Sequence, residues 1–164
     1  MQIAQAHEYA APIDDVVAML RDPAATTAKY EGMGHRDVEI VECTGDATSL
    51  RIVSSRVVDV DLPGFAKRVL RPTNTMRQTD EWRAAEGAWE GTFDIEVQGA
   101  PIHISGTMRL VPGPGTCTHD VTIDVSVKVP LVGGKIADWA GKNDVRKTLE
   151  AEFAFGDRWL AGDR

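Results

Sequence analysis

The stretch HDVTIDVSVKVPLVGGKIADWAG, residues 119–141, changes periodicity within a few residues. Val121, Ile123, Val125, Val127 and Val129 alternate with Asp120, Thr122, Asp124, Ser126 and Lys128. That period of two marks a strand with one wet face and one covered face. Pro-Leu-Val-Gly-Gly, residues 130–134, ends it. Over residues 135–160, Ile136, Trp139, Ala140, Leu149, Phe153 and Leu160 then fall within one half of a helical circumference. A helix of about 26 residues reaches about 39 Å, enough to lie across a sheet. The pair Gly133-Gly134 is expected to make the corner, because glycine turns without a Cβ clash. The helix would then fold back over the concave face of the sheet. Gly141 and Gly156 are expected to weaken its interior.

Upstream, the chain divides into short regular segments. Residues 2–9 alternate, with Ile3, Gln5, His7 and Tyr9 on one side. Pro12 suits the first turn of a helix, Asp14 and Asp15 suit its positive end, and Val16, Val17, Met19 and Leu20 form its apolar side. Asp22-Pro23 stops that helix and starts a second, PAATTAKYEGMG, which Gly32 and Gly34 end. From there the period is two. HRDVEIVECT turns at Gly45-Asp46 into ATSLRIVSSRVVDVD, and an irregular piece, LPGFAKRVLRP, follows. TNTMRQTDEWR turns into AWEGTFDIEVQ, which turns into IHISGTMRLV, and PGPG leads into the strand quoted first. Hairpin signals at this spacing predict an antiparallel sheet.

With 164 residues, and neither repeats nor a low-complexity linker, residues 1–164 are expected to form one domain. A formal charge of -7 argues against non-specific binding to nucleic acid or to anionic membrane. Cys43 and Cys117 form no CxxC and are expected to be free thiols in a reducing compartment. Met1 leads into QIAQAHEY without a basic start or an apolar run. No window approaches the roughly 18 apolar residues of a membrane span. A cytoplasmic protein is expected.

The order is one strand, two short helices, six antiparallel strands and a long C-terminal helix. With HEYAAPIDDVVAMLRDP near the start and VPLVGGKIADW and FGDRWL near the end, it resembles the START-like, or SRPBCC, superfamily. The Val-Pro-Leu-Val-Gly-Gly corner is similar to that of one uncharacterised bacterial subfamily. The resemblance implies an α+β helix-grip fold, a curved seven-stranded antiparallel sheet wrapped around the C-terminal helix. It also implies a cavity between sheet and helix for a hydrophobic or amphipathic small molecule, lipid-like or polyketide-like, without a cofactor. The residues that would line such a cavity are Ile52, Ser54, Arg56, Met76, Gln78, Asp80, Trp82, Phe93, Ile95, Ile104, Met108, Ile123, Val125, Trp139 and Phe153. Trp139 and Phe153 would form its floor.

Two of these are charged. Arg56 shares parity with Leu50 and Ile52, and Asp80 with Met76 and Trp82. Buried charges need partners, so Arg56 and Asp80 are expected to find some, each other among the candidates. One reading makes them the polar end of a pocket, with the guanidinium holding a headgroup or carboxylate. The other makes them a structural ion pair, or turns that half of the strand to water. His7, His35, His103 and His119 have no metal-ligand spacing, and no nucleophile or phosphate-loop motif is present. The alternatives to a binding protein are a cyclase- or dehydratase-type enzyme using Asp80 or His119 as acid or base, and an interaction module with a filled core. LPGFAKRVLRP is locally basic, with Phe65, Lys67 and Arg68. It reads either as a lid over the cavity mouth in transient contact with a membrane, or as an ordinary connection with Phe65 tucked down.

Overall fold

The computed structural model describes residues 1–163. Strands β1 (Gln2–Tyr9), β2 (Arg36–Asp46), β3 (Ser49–Asp59), β4 (Thr73–Ala85), β5 (Ala88–Val97), β6 (Ile102–Gly113) and β7 (Thr116–Val127) form one antiparallel sheet in the order β1-β7-β6-β5-β4-β3-β2. The six later strands follow one another in antiparallel register, and β1 closes against β7 through the pairs Ile3 with Ile123 and His7 with His119. This is the helix-grip α+β architecture. Alternation holds where it was expected: Ile3 and Tyr9 are buried on β1, Trp82 on β4, Phe93 on β5, and Val121, Ile123 and Val125 on β7.

The helices α1 (Ile13–Arg21) and α2 (Pro23–Gly32) follow β1. Pro12 stands just outside α1 as its cap rather than inside its first turn. Asp22 ends α1 and also caps α2, where its carboxylate accepts from the Ala24 amide at 2.9 Å and Pro23 takes the first helical position. α1 buries Val16, Val17 and Met19 in the main core.

The C-terminal helix begins at Gly133, two residues before the expected start, and it is not uniform. α3 (Gly133–Trp139) and α4 (Arg146–Leu160) are joined by a π-helical turn, Ala140–Val145, in which the Arg146 amide reaches back to the Gly141 carbonyl. The cause lies in the spacing of the buried residues. Ile136 and Ala140 are four apart, Val145, Leu149 and Phe153 are four apart, but Ala140 and Val145 are five apart. One widened turn absorbs the extra residue and keeps both halves of the stripe facing the sheet.

The corner before α3 differs from expectation in its mechanism. The left-handed residue is Leu131, at φ 70°, and its side chain is fully exposed. Gly133 serves close approach instead: a Cβ there would collide with the Val127 carbonyl oxygen. Gly156 has the same kind of role on α4, because a Cβ would lie 2.6 Å from the Tyr9 ring. It marks where the helix touches β1, not a weak point.

The basic piece between β3 and β4 is a compact set of turns. Leu62, Ala66 and Leu70 are buried against Ile136, with Phe65 and Val132 packed beside them, in a cluster separate from the main core. The Phe65 ring is half-buried under the Lys135 ammonium, 4.3 Å from its centre, while Lys67 and Arg68 are not buried with it. No described helix is long and apolar enough to cross a membrane.

Gly133→Ala and Gly156→Ala should each lower stability by about 1–3 kcal/mol, an overpacking cost that outweighs the gain in helix propensity. Gly134→Ala, whose Cβ meets nothing within 4 Å, should be neutral or slightly stabilising. Thermal unfolding of the three variants checks the contrast.

Candidate functional site

Between the inner face of the sheet, the end of α2 and the flank of α4 lies a cavity of about 540 Å³. Ten of the expected residues line it: Arg56, Met76, Gln78, Asp80, Trp82, Phe93, Ile95, Ile104, Met108 and Ile123. They reach it because same-parity residues on neighbouring strands lie opposite one another, Arg56 beside Met76, Gln78 beside Ile95, and Asp80 beside Phe93. Leu149, Val145 and Glu152 come from the helix, and residues 32–35 form part of the rim, as do Lys147 and Arg158, both exposed.

Five expected residues are off this wall. Ile52 and Val125 are enclosed in the main core, and Ser54 is 2% exposed within the sheet. Phe153 turns toward β1, stacking on His7 with ring centres 4.9 Å apart and meeting Tyr9 edge-on. It lines a small adjoining recess of about 60 Å³, which shares Lys29, His119, Leu149 and Glu152 with the cavity. Trp139 precedes the π-helical turn and packs between the two hydrophobic clusters. The cavity therefore lies under α4 and the π-helical turn rather than under α3. Residues 60–72 are not among those that line it.

One set of polar groups gathers at the end of the cavity where α2 meets α4. Lys29, on α2, donates to Glu152, on α4, at 2.9 Å. Burial opposes the Lys29 charge, but the adjacent Glu152 carboxylate outweighs it, and the lysine pKa stays above its ordinary value. Burial likewise opposes the Glu152 charge, and Lys29 overcomes it, so the glutamate is held below the usual carboxylate range. Neither residue was expected here. Lys29 sits in a segment with little amphipathic pattern, and a Lys or Glu on a helix ordinarily reads as solvated. The one available signal was the place of Glu152 on the flank of Leu149 and Phe153.

Arg56 and Asp80 do not touch. Gln78 stands between them: Arg56 Nη2 donates to Gln78 Oε1 at 2.8 Å, and Gln78 Nε2 donates to Asp80 Oδ1 at 2.8 Å. The Tyr30 hydroxyl also donates to Gln78 Oε1, at 3.1 Å, while its ring lies under the guanidinium at 3.9 Å. His35 stacks on the same Tyr30 ring, with centres 5.6 Å apart. Burial pushes the Asp80 carboxyl up. His119 is inward as its parity allowed, beside Trp82 and Phe153, and its Nε2 has no partner among the described residues. Burial lowers His119 to about 4, and burial with the nearby Arg56 charge lowers His35 to about 4. His7 pairs with Asp157 at 2.8 Å and His103 with Asp94 at 2.6 Å, both away from the cavity.

Two measurements test this account. Glu152→Gln leaves the Lys29 ammonium without its counter-charge and should cost about 3 kcal/mol, much of it recovered in the double variant with Lys29→Met. The second is pH dependence. Unfolded imidazoles take up protons near 6.5, the folded ones only near 4, so stability should fall as pH drops through that window. His119 alone contributes on the order of 3 kcal/mol. Asp80, raised by burial, partly opposes the trend, because its cost fades as it protonates. In His119→Phe the melting temperature should depend less on pH between 6.5 and about 4.

The same architecture occurs in solved structures at low identity. TTHA0849 from Thermus thermophilus superposes with a TM-score of 0.66 at 14% identity, over 99% of this chain and 98% of that one. A START superfamily protein from Mycobacterium smegmatis gives 0.56 at 18%, over 98% and 97%. Norcoclaurine synthase from Thalictrum flavum gives 0.55 at 14%, over 98% and 86%. No curated protein matches the sequence. These likenesses show the fold, the helix-grip architecture of START-like structures. A family model described as "Protein of unknown function (DUF2505)" matches residues 4–160, the strands and helix of the cavity wall included, and the chain belongs to that family.

Proposed function

We propose that the protein binds a hydrophobic or amphipathic small molecule in the cavity beneath α4. The observation that carries this reading is the cavity itself. Its volume of about 540 Å³ lies within the range of roughly 300–1,000 Å³ usual for ligand sites. Much of its wall is apolar, from Met76, Phe93, Ile95, Ile104, Met108 and Val121, with charged groups among the lining residues, Lys29, Arg56, Asp80 and Glu152 included. A filled interaction module would have no such space. Acid–base chemistry has less support. His119 has no carboxylate partner among the described residues, and the side chain bonded to Asp80 is the Gln78 amide. A general acid or base is ordinarily oriented by a partner within hydrogen-bond reach.

Protein purified from its own host should carry a co-purifying apolar compound, seen as an added mass in native mass spectrometry. The neutral probe N-phenyl-1-naphthylamine should bind the emptied protein. Ile104→Trp, which fills the wall, should weaken that binding tenfold or more while the melting temperature stays near that of the parent. A bare mass in every preparation, together with no probe binding, would refute the reading.

A further inference from the structure

The charges around the cavity do not balance in contact. Lys29 is matched by Glu152 at 2.9 Å. Arg56 is 3% exposed, and it touches no carboxylate among the described residues. Its one acceptor is Gln78 Oε1, which it shares with the Tyr30 hydroxyl. Its Nε and Nη1 have no acceptor among the described residues. A buried donor left without an acceptor is costly, and more so when it belongs to a charged group. The Tyr30 ring covers one face of the guanidinium but cannot accept from the in-plane N–H groups that remain.

Asp80 does not meet this need. Gln78 presents its carbonyl to Arg56 and its amide to Asp80, so the amide acts as a spacer and the Asp80 carboxylate reaches the guanidinium only through it. Burial also works against the Asp80 charge. Glu152 is committed to Lys29, and burial keeps His35 and His119 neutral at neutral pH. One positive charge therefore remains at the polar end without an anion in contact, in a protein whose net charge is -7. A planar oxyanion is the group that a guanidinium fork fits best.

We propose that the ligand is an amphipathic monoacid, whose carboxylate seats on Arg56 and whose apolar body lies along Met76, Ile95 and Met108. This rests on the cavity-binding reading above and narrows it to one chemical class.

Two matched pairs test it by calorimetry at neutral pH: decanoate against decan-1-ol, and 1-naphthaleneacetate against 1-naphthaleneethanol. Each acid should bind at least tenfold tighter than its alcohol. Arg56→Met should bring the acid down to the level of the alcohol, and Arg56→Lys, which keeps the charge without the fork, should fall between. The wild-type comparison stands even if Arg56→Met does not fold. Alcohols that bind as tightly as their acids would overturn the monoacid assignment while leaving the cavity reading intact, and would mean that solvent completes the hydrogen bonding of Arg56. If neither acids nor alcohols bind, the cavity reading falls and this assignment with it.

Discussion

The C-terminal helix meets the sheet closely on one side and stands away from it on the other. Gly133 lets α3 approach the end of β7, and Gly156 lets α4 rest on the Tyr9 ring of β1, at points where a single Cβ would not fit. Over β3 to β6 no such contact draws the helix down. There the space is bounded by α2, which α4 meets through Lys29 and Glu152. Close contact at one edge and support at a distance on the other leave the volume between them. Interiors are otherwise packed to crystal-like density, so a space this large must be held open by the elements around it. The π-helical turn belongs to the same constraint, since it lets the helix present Ile136 to one hydrophobic cluster and Leu149 to the other.

The polar end of the cavity shows two ways of keeping charge in a protein interior. Lys29 and Glu152 neutralise each other in direct contact, an arrangement that is costly to break from one side only. Arg56 and Asp80 are held apart by an amide, which weakens their mutual compensation and leaves the guanidinium partly unmet. The difference follows from geometry. Lys29 and Glu152 come from two different helices, α2 and α4. Arg56, Gln78 and Asp80 are fixed by the register of β3 on β4, where Arg56 lies opposite Met76 and Gln78 opposite Ser54.

Likeness to START-like structures at 14–18% identity establishes the architecture and nothing about which molecule fills it. Such a sheet and helix can be built from many sequences, because they require only alternation, a corner and a stripe. In this chain the polar residues gathered where α2 meets α4 are Lys29, Tyr30, Arg56, Gln78, Asp80, His119 and Glu152.

Much of the architecture was legible because it rests on period. Val121, Ile123 and Val125 on β7 and Met76, Gln78, Asp80 and Trp82 on β4 pointed inward as their parity implied, since a strand leaves a side chain only two directions. The helix was harder. Its stripe carried one residue too many between Ala140 and Val145, and only packing against the sheet shows that a widened turn absorbs it. Phe153 and Trp139 were on the apolar side, but periodicity does not say which neighbour an apolar residue meets, and both met side chains rather than the cavity. Lys29 and Glu152 lie on separate helices 123 residues apart in sequence, and no local pattern relates them. Local periodicity thus determined the elements, their order and their inward faces. The tertiary structure alone decided where the helix stands off the sheet and which charges meet there, because those depend on contacts between distant segments that sequence spacing does not encode.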